Sequence, residues 1–261
     1  MGGSIPMRMA AGLTKPRFSL SDSPMRLRRL FQHLRRLRGG EPRAADQDFA
    51  RLSFAQEGED LILEELFFGK ADSGFYVDVG ALHPHRYSNT YFFYRKGWRG
   101  INIDATPGSM EPFALHRPRD INLQQAIALR RQPLAFYLFN DPALNSFSKE
   151  ISEARQSAHP QYRIVGTVEM ETLPLKEVLD RHLPPGQKID FLTIDAEGLD
   201  LDVLRSNDWD RYAPDIVLTE SLDCRSASAL LGSELHRLLD GLGYDFAAKT
   251  LRTAFYRRRR A

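Results

Sequence analysis

Four short apolar runs in this sequence each close on a carboxylate. They are Tyr76-Val77-Asp78-Val79-Gly80, Ile101-Asn102-Ile103-Asp104, Ile194-Asp195-Ala196-Glu197-Gly198 and Val217-Leu218-Thr219-Glu220. A charge at a buried strand end costs free energy unless something satisfies it, so stability alone does not account for four of them. Such groups have three chemical uses. An acidic residue one strand away from a glycine turn accepts ribose hydroxyls, and Asp104 is so placed. A carboxylate takes the proton of a reacting hydroxyl; Asp195, Glu197 and Glu220, with His83, are the candidates for base. Carboxylates also hold hard divalent cations, for which Asp195 and Glu220 are the available pair. Gly80 would let the backbone approach a ligand closely.

These residues need a scaffold that brings strand ends together. Strands are predicted over 75–79, 100–105, 121–128, 189–195 and 214–220, with alternating extra or edge strands over 134–139 and 167–173. Helices are predicted over 54–69, 88–96, 174–182, 199–206 and 227–242, the second capped by Ser88 or Asn89. The segments 244–249 and 253–257 read as a closing hairpin. Alternating strands and helices predict an α/β fold, a mostly parallel, doubly wound, Rossmann-like sheet of seven strands with the hairpin at its antiparallel edge. Ligands of such sheets bind beyond the carboxyl ends of the strands, where all the residues above lie. Other polar residues have plainer readings. Asp200 and Asp202 complement a helix dipole. His83-Pro84-His85 reads as a rigid turn, and Tyr91 to Tyr94 with Trp98 as core packing.

The segments FYVDVGALHPHRYSNTYFFYRKGWRGINIDATP, RPRDINLQQAIA, FNDPALNSFS and ETLPLKEVLDRHLPPGQKIDFLTIDAEGLDLDVLRSNDWDRYAPDIVLTES, taken in order, resemble the FkbM family of class I methyltransferases over about residues 54–257. The resemblance implies S-adenosylmethionine as methyl donor and O-methylation of a sugar or glycoconjugate acceptor. It implies that Asp78 and Gly80 hold the methionine end of the donor and Asp104 its ribose. Asn122 to Ala126 would meet the adenine, and Asp195 and Glu197 would lie beside the transferred methyl. Ala81, Ser88 and Asn89 join the donor-contact candidates, Ala126 among them. One departure stands out. Many class I enzymes carry GxGxG after the first strand, whereas here Gly80 runs into Ala81-Leu82-His83-Pro84, a stiffer turn.

The 261 residues suit one large domain, 44–261, behind a basic extension, 1–43. That extension holds ten Lys and Arg against Asp22 and Glu41, and Arg257 to Arg260 add four more charges at the other end. Because the whole chain is only +2, the body between is acidic. Residues 24–38 read as a basic amphipathic helix, with Leu27, Leu30, Phe31, Leu34 and Leu37 on one face. It would pack on the body or a second subunit, making a homo-oligomer, or lie on an anionic membrane surface. The lone Cys224 excludes an internal disulfide framework and suits a reducing, cytoplasmic setting, at the inner face of the membrane if the helix docks there.

Rival functions are weaker. A nucleic-acid methyltransferase would need positive charge on its body. The chain also has neither a DPPY-like tetrad after Asp195 nor a proline-cysteine pair. A non-catalytic scaffold docked by its basic helix would have no use for the strand-end carboxylates. A nicotinamide oxidoreductase would carry GxGxxG after the first strand.

Overall fold

The computed structural model describes residues 49–67 and 73–260. The basic helix expected over 24–38, and the rest of the 1–43 extension, lie outside the described residues. The main unit begins at Ser53. Its elements are, in order, α1 (Glu59–Leu66), β1 (Phe75–Val79), α2 (Tyr91–Arg95), β2 (Arg99–Asp104), α3 (Met110–His116), β3 (Ile121–Gln124), β4 (Ala126–Ile127), β5 (Pro133–Phe139), α4 (Lys149–Ala158), β6 (Ile164–Leu173), α5 (Leu175–His182), β7 (Phe191–Ile194), α6 (Asp200–Arg205), β8 (Ile216–Glu220), α7 (Ala227–Leu231), α8 (Glu234–Gly241), β9 (Tyr244–Lys249) and β10 (Thr253–Arg258).

Seven strands form one sheet in the order β3-β2-β1-β7-β8-β10-β9. Every pairing is parallel except those of β10, which is antiparallel to both β8 and β9. The fold is the Rossmann-like, doubly wound α/β arrangement with an antiparallel strand pair at one edge. Alternate residues of β1 feed two cores. Phe75, Val77 and Val79 pack with Leu175, Val178 and Val203 on one face. Tyr76 joins Phe93, Trp98, Phe191 and Phe255 on the other. Burial on both faces explains why these strands read as continuous apolar runs.

Register turns sequence position into a site. Val79 pairs with Ile103 on one side and with Ile194 on the other, and Ile194 pairs with Thr219. The next residue of each strand is therefore Gly80, Asp104, Asp195 or Glu220, all at one level on the carboxyl edge. With strands about 4.8 Å apart, Asp104 and Asp195 flank Gly80 and Glu220 lies one strand further. Between β1 and β7 the connections run off in opposite directions, the switch point at which doubly wound sheets bind ligands.

Three differences from the sequence expectation matter. The strand expected over 121–128 splits. Gln125 N–H donates to Asp104 O at 3.0 Å, and Ala126–Ile127 then leaves the large sheet to pair with β6. Of the two readings open for β5 and β6, the extra strands hold and the edge strands do not: with β4 they make a separate three-stranded sheet. The helix expected over 227–242 breaks at Gly232, because Ser233 Oγ caps a new helix by accepting from His236 N–H at 3.1 Å.

Candidate active site

A cleft opens over the switch point. The strand ends supply Val79, Gly80, Asp104, Asp195 and Glu197, while Phe136, Pro142, Asn145 and Phe147 come from the β5–β6 insertion. Gly80 has φ +86°, and a Cβ there would lie 1.8 Å from Asp195 O. Only a glycine lets the β1 turn and the β7 end close on one another in this way. Leu82 and Glu197, both lining the cleft, have φ +53° and +46°. Non-glycine residues hold such angles at a cost of about 1–3 kcal/mol each, and they cluster at functional sites.

Asp104 organises one wall. Its Oδ2 accepts from Leu82 N–H at 2.8 Å and its Oδ1 from Thr106 N–H at 2.7 Å. A carboxylate has roughly four acceptor positions, so two remain for a ligand. Gln125, rather than Ala126, reaches the cleft from the β3 end; Ala126 is buried behind it.

Asp78 faces the other way. It is buried and accepts from Thr90 Oγ1 at 2.8 Å. Burial pushes its pKa up to about 6, against the pull of the nearby Arg117. Arg117 itself is fully buried. Its Nε donates to Asp120 Oδ2 at 2.8 Å, Nη1 to Thr90 Oγ1 at 2.9 Å and Nη2 to Tyr76 Oη at 2.7 Å. Ser88 belongs to the same network, at 3.2 Å from Thr90 Oγ1. Asp78 and Ser88 thus brace the glycine turn from beneath. Asn89 Nδ2 donates to Thr193 Oγ1 at 3.0 Å, tying the loop to β7. Ala81 is buried in the turn. His83 does not line the cleft; its Nδ1 accepts from the His85 and Arg86 N–H groups, each at 3.0 Å. That closes the turn read from His83-Pro84-His85.

A second cleft, of about 340 Å³, adjoins the first. Glu220, Asp200, Ser221 and Asp223 give it a polar wall; Ile151, Leu201, Leu222 and Leu235 give it an apolar one. Among the described residues, Glu197 alone lines both clefts. Crowding dominates the electrostatics here. The Asp195 side chain opens to the cleft, but protein surrounds it elsewhere. Desolvation, then the charges of Glu220 and Glu197, hold its pKa well above the usual carboxylate range. Desolvation also raises Glu197, although Arg155 opposes it. Glu220 is pushed up to about 8 by burial and by the Glu197 and Asp200 charges. Burial likewise lifts Asp200 to about 6. Among the described residues no group of three or more His, Cys, Asp or Glu is placed to hold a metal ion.

The Glu220 proton has a measurable consequence. The folded protein keeps it up to about pH 8, whereas an unfolded chain releases it near about pH 4.3. Its contribution is whole at low pH and is lost as pH rises through that window. Glu220→Gln is therefore expected to be more stable than the parent at pH 8.5, by on the order of 2–3 kcal/mol once sharing with Asp195 and Glu197 is allowed for. The gap should vanish near pH 4. Urea unfolding at the two pH values checks it, and parallel pH dependences would refute it.

The range Asn122 to Ala126 took in Gln125, but sequence reasoning did not single out Thr106, Phe136, Asn145, Phe147 or Arg155. Asn145 Nδ2 donates to Thr106 Oγ1 at 3.1 Å, and Phe136 packs on Phe147 with ring centroids 4.4 Å apart. All but Thr106 belong to the insertion, whose place over the site no local pattern declares.

Comparison with known proteins bears on this geometry. No curated protein matches the chain. Among solved structures, a TehB-like SAM-dependent methyltransferase from Corynebacterium glutamicum is 9% identical, with 91% of this chain and 100% of that one covered and a TM-score of 0.36. A candidate O-methyltransferase from Klebsiella pneumoniae is 11% identical, over 92% of this chain and 91% of that one, with a TM-score of 0.34. The methyltransferase FkbM domain model matches residues 78–246, a span that runs from the β1 turn through every strand-end carboxylate into β9. With that match laid over this sheet order and this carboxyl-edge cleft, the chain belongs to the FkbM family of S-adenosylmethionine-dependent methyltransferases.

Proposed function

We propose that the protein O-methylates a hydroxyl of a sugar or glycoconjugate, with the donor in the switch-point cleft and the acceptor in the neighbouring one. The observation that carries this reading is the junction of the two clefts at Glu197, at the level of Asp195. The residues present fit the donor: a Cβ-free position at Gly80, two spare acceptor positions on Asp104 for ribose hydroxyls, and a largely apolar far end at Ile103, Ile127, Phe136 and Phe147. When bound, the donor supplies an electrophilic sulfonium methyl. The chain's own tasks are then alignment, which supplies about 7–11 kcal/mol at best, and receipt of a proton, worth about 10²–10⁴-fold. Glu197 Oε2 is engaged by Arg155 at 2.8 Å, which leaves Oε1 as the proton acceptor. Asp195 and Glu220, with their raised pKa values, hold protons longer and follow it.

The second cleft favours a polyhydroxylated acceptor. Ionised carboxylates only accept hydrogen bonds and protonated ones also donate, so a wall of Glu197, Asp200, Glu220 and Asp223 suits a ligand rich in hydroxyls, which do both. The same wall repels phosphates and so disfavours nucleic acid. Incubation with radiolabelled donor, a cell-surface glycan fraction and total RNA tests the reading, with and without Mg²⁺. Label in alkali-stable methyl ethers of carbohydrate is the expected result. Label in RNA, or none in carbohydrate while the donor binds, would overturn it.

A further inference from the structure

The loop that carries Glu197 is not held by the main sheet alone. Its left-handed backbone persists only where surroundings over-determine it, and those surroundings come from the insertion. Ser146 Oγ donates to Glu197 O at 2.7 Å. Arg155, on α4, donates from Nη2 to Glu197 Oε2 at 2.8 Å and from Nη1 to Leu144 O at 2.8 Å. The guanidinium is thus clamped between the carboxylate and the short 3-10 turn Pro142–Leu144. Ile151, one turn before Arg155, fills the space beside Gly198, where a Cβ would come within 2.8 Å of its Cδ1. Arg155 and Glu197 are only 16% and 20% exposed, so water screens this pair far less than a surface pair.

We propose that Arg155 is a positioning residue for methyl transfer: supplied by the insertion, it holds the Glu197 carboxylate at the junction of the two clefts and keeps it ionised there. The proposal rests on reading those clefts as donor and acceptor sides. The charges around Glu197 explain why a cation is needed. Asp195 and Asp200 face it from its own segment, and Glu220 from β8, all acidic. Arg252, in the β9–β10 turn, also acts on it but is engaged by Glu57, which accepts from Arg252 N–H at 3.0 Å and lies 3.8 Å from its Nε. Arg155 is the cation in contact. Without it, burial favours the neutral acid, which cannot accept a proton. A helix outside the Rossmann-like sheet would in this way decide whether the strand-end motif can work as a base.

Carbon-13 titration of the intact protein labelled at glutamate carboxyls tests this, with the Glu197 signal assigned by its loss in Glu197→Gln. Arg155→Met should raise the Glu197 midpoint by about one pH unit or more, while Arg155→Lys, which keeps a charge without the fork, holds it within about half a unit. A Glu197 midpoint unchanged in Arg155→Met overturns the proposal. So does a fall toward about 4.3 in both variants, the mark of a loop that has merely come apart. S-adenosylhomocysteine titration of the same samples reports on the donor cleft separately: no binding by the parent protein defeats the donor reading and leaves the carboxyl midpoints to be judged alone.

Discussion

Asp104→Ala is expected to weaken S-adenosylhomocysteine binding by at least about 100-fold, a loss of roughly 2.7 kcal/mol. Two contributions add. Hydrogen bonds to a charged group are worth about 1.5–3 kcal/mol each, and the carboxylate has two acceptor positions left for ribose hydroxyls. The same side chain also holds the cleft in shape, because Leu82 N–H and Thr106 N–H both end on it. Without it, the left-handed Leu82, at φ +53°, loses the contact that offsets its strain. Asp104→Asn separates the two effects. An amide retains one acceptor oxygen, so it can satisfy one backbone donor at most, and an intermediate loss of about tenfold is expected. Calorimetric titration of the three proteins decides the matter. An alanine variant that binds within threefold of the parent would remove Asp104 from the donor site.

Arg117→Met is expected to cost the largest amount of stability of any single change in the main sheet, about 3–5 kcal/mol. The guanidinium is fully buried and spans β1, α2, α3 and β3 through its contacts. It lies over the rings of Tyr76, Tyr94 and Phe113 at 5.3, 5.2 and 5.4 Å. Asp120 is its ion-pair partner at 2.8 Å and is also fully buried. Asp120 accepts from Tyr76 Oη at 2.8 Å, Gly100 N–H at 2.9 Å and Asn102 Nδ2 at 2.9 Å as well. Methionine has nearly the volume and none of the charge, so Asp120 and Asp78 would stay buried without their cation. Arg117→Lys should recover only part of the loss, because an ammonium cannot match a three-armed fork. Urea unfolding at pH 7 measures it, and a loss under about 1 kcal/mol would show that the network is dispensable. Donor affinity should fall along with stability, since Thr90, which donates to Asp78 beneath the Gly80 turn, also receives from Arg117.

The two effects separate the layers of the site. Asp104 acts where a ligand touches the protein, and Arg117 acts beneath the turn that shapes that surface. Asp78 illustrates how the layers are confused in a sequence. It sits in the motif whose resemblance implies donor contact, yet strand alternation turns it onto the Tyr76 face, toward Thr90 and Arg117. Gly80, two residues on, reaches the cleft through its backbone.

The sequence by itself determined the sheet and the identity of its working edge. Four apolar runs end in a glycine or a carboxylate, and parallel strands in register must bring such ends to one level. Local composition is enough for that, because the period and burial of a strand are written in consecutive residues. Tertiary structure decided what only distant contacts can decide. Pairing of Ala126 and Ile127 with Thr172 and Leu173 of β6 divided one expected strand between two sheets. The insertion, read from its alternation as extra or edge strands, folded over the cleft and brought Phe136, Asn145, Phe147 and Arg155 to it. The ionisation of Asp195, Glu197 and Glu220 was likewise beyond any local reading, because it depends on desolvation and on charges that meet only when β7, β8 and α4 are assembled.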